Sequence, residues 1–199
     1  MRFITNRSSG KQGFALAQAA LDWGARVTLI AGPTVSLPTP SGARRVEVST
    51  AAEMAEAVLA AGADADALLM AAAVADFRPA QAADQKIKKA AIPQIELEKT
   101  VDILSAVADR REVSGRPTVV VGFAAESQNL IENAREKVLR KKLSLIVAND
   151  ISARDAGFGV DTNRVVLIDA GGGLEALPLL TKTQVAEKVV ERVTRLLEG

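Results

Sequence analysis

Short Val, Ile and Leu runs alternate along the chain with longer segments in which apolar residues recur every three or four positions. Continuous apolar runs are typical of strands buried on both faces of a parallel sheet, and the longer segments are typical of helices that cover such a sheet. The pattern predicts six strands, at Arg26–Ala31, Ala43–Val48, Ala67–Ala75, Thr118–Ala124, Leu143–Asn149 and Arg164–Asp169.

The same pattern predicts five helices, at Lys11–Trp23, Ala51–Ala61, Asp102–Arg111, Leu130–Lys142 and Thr183–Glu198. Gly24 stands where a C-terminal helix glycine is expected, Thr50 can cap the second helix, and Gly171-Gly172-Gly173 predicts a hairpin turn. The alternation of strands and helices indicates a three-layer, Rossmann-like α/β fold with a parallel sheet, in one domain over residues 1–199.

The segment at about 78–99 does not follow this alternation. Pro79 and Pro93 interrupt it, and a basic cluster, Lys86-Ile87-Lys88-Lys89, lies between them. Ile95-Glu96-Leu97-Glu98 then alternates with a period of two, as a half-exposed strand does. We therefore expect either a solvated loop or a protruding two-stranded β flap, which would pack on a second subunit because isolated strand pairs are only marginally stable.

The composition excludes several classes of chemistry. The chain has no Cys and no His, which excludes thiol nucleophiles, disulfides, Cys/His zinc sites and imidazole acid–base catalysis. Aromatic residues make up only 3% of the chain, and 25 basic residues nearly balance 24 acidic ones, so we expect no nucleic-acid partner. No apolar run approaches the roughly 18 residues that span a bilayer, and no signal-peptide pattern is present, so we expect a cytoplasmic protein without a membrane partner.

The first polar interruption, Asn6-Arg7-Ser8-Ser9-Gly10-Lys11, separates a strand-like start, Phe3-Ile4-Thr5, from the first helix. The first backbone N–H groups of a helix lack internal partners and carry the positive end of the helix dipole, so this arrangement favours anion binding. Either serine can cap the helix, the glycine lets a ligand approach the backbone, and the basic side chains add charge. The loop is neither a Walker A motif nor a G-x-G-x-x-G turn, so we predict phosphate binding of another kind.

Three of the predicted strands run into polar residues, namely Asp76, Glu126 and Asn149-Asp150, at the edge of a parallel sheet where ligands bind. Asp76 follows the third strand and could accept ribose hydroxyls or hold Mg²⁺, or it could simply cap a turn. Phe123 lies near the end of the fourth strand, where a base could stack on it, although a core position is the default interpretation. Asn149 and Asp150 end the fifth strand.

Lys137 and Lys141 are four residues apart and share one face of the fourth helix. Two like charges on one face repel each other, which favours an anion opposite them, although a solvated lysine face is the commoner arrangement. Lys86, in the flap segment, could reach a phosphate or a carboxylate in the same way.

Five blocks of sequence extend, in order, over essentially the whole chain: Asn6–Gly13, Ala71–Arg78, Lys86–Lys89, Val121–Glu126 and Ile146–Asp150. Together they closely resemble bacterial phosphopantothenoylcysteine synthetase, the synthetase half of a bifunctional coenzyme A biosynthesis protein. The resemblance implies a homodimer that is normally linked to a flavin-dependent decarboxylase domain.

The resemblance also implies a ligase, unrelated to the ATP-grasp enzymes, that joins 4′-phosphopantothenate to L-cysteine with CTP as co-substrate and Mg²⁺ as cofactor. In this family the substrate carboxylate is converted to an acyl-cytidylate with loss of pyrophosphate, and the cysteine amine then displaces CMP. A mixed anhydride is intrinsically reactive, so an enzyme without His or Cys can act mainly by positioning and charge neutralisation.

On the substrate side, the resemblance implies that Asn6 stabilises or turns over the acyl-cytidylate and that Arg2 lies in the same region. Lys86, in the dimerisation flap, would reach the acyl phosphate site across the subunit boundary. The phosphate at the helix end would be surrounded by Ser8, Ser9, Gly10 and Lys11.

On the nucleotide side, the resemblance implies that Ala73 and Asp76 contact the nucleotide and that Phe123 lies beside its base. Lys137 and Lys141 would bind the triphosphate, and Asp76 is the candidate ligand of the metal ion.

The chain departs from the family pattern at three places. Family members carry a further strand and a Thr-Ala-Gly-Pro-Thr-type turn before the position of Arg2, and we expect the printed chain to be a fragment or to start late. Ser144 stands where an Asp is common, and Lys99-Thr100-Val101-Asp102 replaces a usual Lys-Asn-Pro-Asp.

Two other functions stay open on the sequence. A nicotinamide-dependent Rossmann reductase would have the same architecture, but the chain contains no Tyr to act as the usual acid and no glycine fingerprint. A catalytically inactive dimerisation or nucleotide-binding module is the third alternative.

Overall fold

The computed structural model describes residues 4–6, 8–34, 37–81, 94–126, 128–150 and 161–199. The helices in these residues are α1 (Lys11–Asp22), α2 (Ala51–Gly62), α3 (Ile103–Ser114), α4 (Leu130–Arg140) and α5 (Lys182–Glu198). The strands are β1 (Thr28–Ala31), β2 (Arg44–Glu47), β3 (Ala67–Met70), β4 (Phe77–Pro79), β5 (Leu97–Lys99), β6 (Val119–Glu126), β7 (Leu145–Asp150), β8 (Thr162–Asn163), β9 (Val165–Asp169), β10 (Leu174–Ala176) and β11 (Leu180–Thr181).

Five strands form the main sheet, in the order β10-β9-β7-β6-β3. β3, β6 and β7 are parallel, with Leu69 opposite Val121 and Val121 opposite Leu145. β9 runs antiparallel to β7, and β10 runs antiparallel to β9. The prediction of a parallel sheet is therefore wrong at this side. The 14 residues between β7 and β9 are long enough for either strand direction, and the apolar pattern from which the last strand was predicted carries no information on direction.

The predicted hairpin turn at Gly171-Gly172-Gly173 is confirmed. It joins β9 to β10, and Gly172 has a φ of 89°, a conformation that glycine adopts without strain. The hairpin explains why the last strand of the sheet is antiparallel.

β1 and β2 form a separate parallel pair, which shares no ladder with β3 in the described residues. Ile30 and Val46 of this pair nevertheless pack against the same apolar cluster as Leu68 and Met70 of β3. A continuous sheet through all predicted strands is not formed.

Alternate residues of β6 and β7 face two apolar cores. Val121 and Val147 pack with α1 and α5 on one face of the sheet. Val120 and Ile146 pack with α2, α3 and α4 on the other face. This arrangement confirms the three-layer α/β prediction and explains why these strands read as continuous apolar runs.

The predicted helix ends at Thr50 and Gly24 are confirmed. Thr50 Oγ1 accepts a hydrogen bond of 3.1 Å from the Glu53 backbone N–H, and the Glu53 carboxylate accepts one of 2.7 Å from the Ser49 N–H. Gly24 follows α1 with a left-handed φ of 80°. Local capping chemistry thus fixes where these helices begin and end.

The base of the predicted flap is an antiparallel pair. In β4 and β5, Arg78 lies opposite Glu98, and its Nε donates to Glu98 Oε1 at 2.7 Å. The segment was expected to be either a solvated loop or a two-stranded flap. At β4 and β5, the pairing confirms the two strands. Residues 82–93, which include Lys86, lie outside the described residues, as do Arg2 and Arg7.

Gly122, in the middle of β6, is packed more closely than a side chain allows. A Cβ there would lie 2.7 Å from Leu143 Cδ1, and Leu143 is only 2% exposed. We expect Gly122→Ala to lower the free energy of unfolding by about 1–3 kcal/mol, because a side chain in a close-packed core would have to move. Urea unfolding measures this change.

Gly13→Ala is the matched control. A Cβ at Gly13, within α1, would meet nothing within 4 Å. Alanine there should raise the free energy of unfolding by about 0.5–1 kcal/mol, as it does in helix interiors. Equal stability of Gly122→Ala and the wild type would mean that Leu143 moves without loss of packing.

Candidate functional site

The carboxyl ends of β3, β6 and β7 lie at one edge of the sheet, because these strands are parallel and in register. The opening loop reaches this edge through Asn6. Its Nδ2 donates a hydrogen bond of 3.0 Å to the backbone carbonyl of Val74, 68 positions along the chain. Two of the sequence blocks predicted to form the site are therefore in contact.

The segment after β3 is not a strand. β3 ends at Met70, so the predicted extension of this strand to Ala75 is wrong. Side chains, rather than a neighbouring strand, bind the carbonyls of this segment, and Thr100 Oγ1 donates to the Ala75 carbonyl at 2.6 Å. Ala73 is half-buried in this segment, and Asp76 at its end is exposed.

The start of α1 is formed by Gly10, which is the N-cap with a φ of 74°. The prediction that Ser8 or Ser9 caps the helix is wrong. Both hydroxyls bond within the loop instead, because Ser8 Oγ accepts from the Gly10 N–H at 3.3 Å and Ser9 Oγ from the Lys11 N–H at 3.5 Å. Apart from the Lys11 N–H, the amides of the first turn have no side-chain cap among the described residues, so the Gln12 and Gly13 N–H groups keep their capacity to bind an anion.

Gly10 is required at this position for a second reason. A Cβ there would lie 2.8 Å from Thr34 Cγ2, in addition to the strain of a positive φ. The close approach of the two loops thus depends on glycine.

Lys11 forms an ion pair with Asp161. The Nζ–Oδ1 distance is 2.5 Å, and the two side chains are 42% and 78% exposed. The hydrogen bond from Lys11 lowers the pKa of Asp161. Exposed pairs of this kind contribute little to stability, so a ligand phosphate can replace the carboxylate at small cost.

Two residues at this edge, Gln12 and Asn163, escaped sequence reasoning. With Asn149, which the sequence indicates as a polar strand end, they form a chain of side-chain hydrogen bonds that joins α1 to the ends of β7 and β8. The contact between Gln12 and Asn163 joins residues 151 positions apart, and neither spacing nor periodicity signals it.

The burial of Lys182 was also not predicted from the sequence. It is the first residue of α5 and is only 7% exposed. Burial lowers the pKa of its ammonium group, Asp161 raises it, and Lys11 lowers it further. Two lysines and one carboxylate therefore interact beside the start of α1.

Asn149 Oδ1 is buried and accepts no hydrogen bond from the described residues. An acceptor left in this state destabilises a protein by about 1–3 kcal/mol. Unpaired groups of this kind are uncommon in native structures and call for an explanation, such as a bound ligand or an ordered water.

Phe123 lies inside β6 rather than at its end, because the strand continues to Glu126. It is half-buried and packs against the cluster formed with α1 and α5. Phe123 therefore packs against the core, as the default interpretation expected. It also remains partly exposed near the carboxyl edge of the sheet.

Lys137 and Lys141 each have a carboxylate partner in the protein. Lys137 Nζ lies 3.1 Å from Glu126 Oε1, and Lys141 binds Asp102 and, at 2.9 Å, Ser105 Oγ. Lys141 is the C-cap of α4 rather than a residue of the helix. Their mutual repulsion is thus relieved within the protein, and it does not by itself require an anionic ligand.

Burial acts on the carboxylates of both pairs. It raises the pKa values of Asp102 and Glu126, but hydrogen bonds from Lys141 to Asp102 and from Asn133 and Lys137 to Glu126 outweigh it. Both pKa values are below their ordinary range, so both carboxylates are charged at neutral pH.

A groove of about 530 Å³ lies away from these lysines, between the start of α4 and the β9–β10 hairpin. Its lining includes Asn129, Glu132, Asp150 and Arg164. Of the polar strand ends singled out in the sequence, only Asp150 borders it. The carboxyl edge near Asn6 remains the better candidate, because the sequence blocks meet there.

No group of three or more acidic side chains is arranged to hold a metal ion within residues 4–6, 8–34, 37–81, 94–126, 128–150 and 161–199. Over the same ranges, no helix combines the length and apolar character needed to cross a membrane.

The family model for the DNA/pantothenate metabolism flavoprotein C-terminal domain matches residues 1–197. The chain belongs to this family. The resemblance inferred from the five sequence blocks is thereby confirmed at the level of the family.

Two curated relatives are similar over nearly the whole chain. The coenzyme A biosynthesis bifunctional protein CoaBC of Bacillus subtilis (strain 168) is 44% identical over 198 residues, which are 98% of this chain and 48% of the relative. The protein of the same name from Vibrio vulnificus (strain CMCP6) is 44% identical over 200 residues, which are 99% of this chain and 49% of the relative. The chain thus spans about half the length of the curated relatives that it matches.

Solved structures of the family support the fold. The crystal structure of the C-terminal domain of CoaBC superposes with a TM-score of 0.82 at 37% identity, and the match covers 100% of this chain and 88% of that one. The arrangement of sheet and helices is therefore the Rossmann-like fold of this family.

The pair formed by Asp102 and Lys141 can be tested through its dependence on pH. Asp102→Asn keeps an N-cap of equal preference for α3 but removes the negative charge, so it should lower the free energy of unfolding by up to about 1 kcal/mol at pH 7. The folded pKa of Asp102 is depressed, so its contribution is complete above the unfolded pKa and is lost as the pH falls below about 4. Urea unfolding at pH 7 and pH 3 should show that the difference between variant and wild type becomes smaller in acid.

Glu112→Gln is the control for this experiment. Glu112 pairs with Lys142, and both side chains are more than half exposed. Glu112→Gln should lower the free energy of unfolding at pH 7 by less than Asp102→Asn does. An Asp102→Asn difference that stays constant with pH would contradict an electrostatic origin.

Proposed function

We propose that this domain joins 4′-phosphopantothenate to L-cysteine in coenzyme A biosynthesis, with CTP as the activating nucleotide. Family membership and the name of the Bacillus subtilis relative support this proposal. The observation that carries it is the hydrogen bond from Asn6 to Val74, because it joins an uncapped helix start to the segment that precedes Asp76.

In the proposed first step, a carboxylate oxygen of 4′-phosphopantothenate attacks the α-phosphorus of CTP. A P–O bond forms, the bond from the α-phosphorus to the bridging oxygen breaks, and pyrophosphate leaves with that electron pair. In the second step, the cysteine amine attacks the acyl carbon, the C–N bond forms and the C–O bond to CMP breaks. The nitrogen loses a proton, and CMP leaves.

Asn6 is suited to a role at the reacting carboxylate. One hydrogen of its amide is used by the Val74 carbonyl, whereas its Oδ1 accepts no hydrogen bond from the described residues. The Val74 bond fixes the plane of the amide, so the other hydrogen and Oδ1 have a defined direction. Preorganised dipoles of this kind stabilise developing charge because they need not reorient during the reaction.

The amides at the start of α1, with Ser8, Ser9, Gly10 and Lys11, would bind the substrate phosphate in this proposal. The uncapped first turn supports this role, since its N–H groups and the helix dipole favour an anion. Arg2 and Lys86 are proposed as further cationic contacts, and both lie outside the described residues.

Mg²⁺ is compatible with the residues present. It commonly keeps several waters and is held by one or two carboxylates together with substrate phosphates, so it does not require a cluster of acidic side chains. Asp76, exposed at the end of the Ala71–Ala75 segment, would supply one such carboxylate. The ion would neutralise charge on the triphosphate.

Lys137 and Lys141 are proposed to bind the triphosphate by exchanging partners. Lys137 is 38% exposed and held by a single carboxylate, whereas Lys141 is 15% exposed and held by both Asp102 and Ser105. Lys137 therefore loses fewer protein contacts than Lys141 when it binds a ligand phosphate. Phe123, half-buried on the adjacent strand, would lie beside the base.

The flap supports a proposal that the protein is a homodimer. Phe77, Ile95 and Leu97 at its base are exposed by 47%, 60% and 50%, although they are large apolar residues. A second subunit would cover them and bring Lys86 to the neighbouring site. We also propose that the complete protein carries a decarboxylase domain, since the relatives are bifunctional.

Asn6→Asp tests the central role of Asn6. The carboxylate cannot donate to the Val74 carbonyl and would be repelled by it, so the loop should lose its fixed geometry at the reacting carboxylate. We expect CTP affinity to change less than about threefold and turnover to fall at least about 100-fold, as it does when one oriented dipole is lost. Pyrophosphate release is measured with CTP, 4′-phosphopantothenate and cysteine, and CTP binding by calorimetry.

Two results would contradict this assignment. Wild-type protein that binds CTP but releases no pyrophosphate would favour an inactive binding module. Loss of CTP binding in Asn6→Asp would place Asn6 at the nucleotide rather than at the acyl group.

Lys137→Met and Lys141→Met should both weaken CTP binding, by roughly 1.5–3 kcal/mol each, because a charge-assisted contact is lost. Lys141→Met should also lower the melting temperature more than Lys137→Met, because it removes the partner of Asp102 and Ser105. Lys188→Met is the matched control, since it removes the same charge from α5, where Lys188 pairs with Glu191. Unchanged CTP affinity in both site variants would overturn the triphosphate role.

A further inference from the structure

A chain of three side-chain amides runs from α1 to the end of β7. Gln12 Nε2 donates to the Lys182 backbone carbonyl at 3.2 Å, and Asn163 Nδ2 donates to Gln12 Oε1 at 3.1 Å. Asn149 Nδ2 then donates to Asn163 Oδ1 at 3.4 Å. Asn163, in the middle, is only 6% exposed. The proposed reaction assigns no role to this chain.

The Lys182 carbonyl fixes the direction of every amide in the chain. A carbonyl oxygen can only accept, so Gln12 presents Nε2 to it and Oε1 to Asn163. Asn163 then presents Nδ2 to Gln12 and Oδ1 to Asn149. Asn149 in turn uses Nδ2 toward Asn163, and the chain ends in an acceptor, Asn149 Oδ1.

This terminal acceptor lies at the carboxyl edge and on the α1 face of the sheet. Asn149 follows Val147 by two residues on β7, so it shares that face. Its neighbour on β6 is Ala125, two residues beyond Phe123. The acceptor and the aromatic ring therefore project from the same face of adjacent strands.

We propose that Gln12 and Asn163 are positioning residues that hold Asn149 as a hydrogen-bond acceptor, and that this acceptor selects nucleotides with an O–H or N–H donor. The inference rests on the proposed function, since it takes the ligand to be the nucleotide. A ribose hydroxyl and the amino group of the base offer the same chemistry.

The chain matters because an isolated asparagine amide can turn over. Rotation by half a turn exchanges its oxygen and nitrogen, so it could meet either a donor or an acceptor. The chain of hydrogen bonds through Gln12 and Asn163 prevents this rotation of the Asn149 amide. A ligand without the donor would leave Asn149 Oδ1 unpaired, and sites built in this way reject such analogues strongly.

The test measures binding of CTP, 2′-deoxy-CTP, 3′-deoxy-CTP and UTP by calorimetry. Each analogue lacks one donor: the 2′-hydroxyl, the 3′-hydroxyl or the amino group of the base. At least one should bind the wild type about five- to tenfold more weakly than CTP. In Asn163→Leu, which removes the partner of Asn149 Nδ2, that difference should fall to about twofold or less.

Asn163→Asp is the matched variant. Its carboxylate still accepts from Asn149 Nδ2, although it cannot donate to Gln12, so the discrimination should be retained. Arg192→Leu controls for destabilisation, because it breaks the 2.6 Å ion pair with Asp169, which lies opposite Leu145 at the other end of β7. Gln12→Leu, which removes the fixed end of the chain, replaces Asn163→Leu if that variant does not fold.

The outcomes separate the two levels of the proposal. Discrimination that survives in Asn163→Leu, or that is lost equally in Asn163→Leu and Asn163→Asp, overturns the positioning role. A wild type that binds all four nucleotides equally overturns the selecting acceptor and indicates an ordered water at Asn149. A wild type that binds no nucleotide overturns the proposed function and, with it, this inference.

Discussion

The parallel alignment of β3, β6 and β7 determines where the candidate side chains lie. Their buried residues pack on both faces of the sheet, so the register cannot slip by one residue without exchanging the two cores. Because the three strands point in the same direction, their polar ends meet at one edge. The contact between Asn6 and Val74 then attaches the opening loop to that edge.

Much of this architecture follows from the sequence. Apolar runs and helical periodicity predicted the helices and the central strands because each of these elements buries a continuous surface. The antiparallel β9 was not predicted, since the period of an apolar run carries no information on strand direction. The end of β3 at Met70 was also missed, because Ala71–Ala75 is as apolar as a strand, and only contacts with Asn6 and Thr100 show otherwise.

The candidate site was predicted less completely than the fold. Residue types at strand ends indicated Asp76 and Asn149, because these positions follow or end apolar runs, and a spacing of four residues on one helix face indicated Lys137 and Lys141. The chain through Gln12 and Asn163 could not be inferred, since it joins distant positions and both residues are ordinary on the surface of a helix or in a loop. Lys182 gave no signal either, because a lysine at a helix start is normally exposed.

The pairing of Lys11, Lys137 and Lys141 with protein carboxylates has a kinetic consequence. A site whose cations carry their own counterions has a weak electric field at distances beyond the Debye length, which is about 8 Å at physiological ionic strength. With 25 basic and 24 acidic residues, the whole chain adds little long-range attraction. For these three lysines, exchange of a carboxylate partner for a ligand anion changes the long-range field little, so they contribute to binding at contact rather than by electrostatic steering.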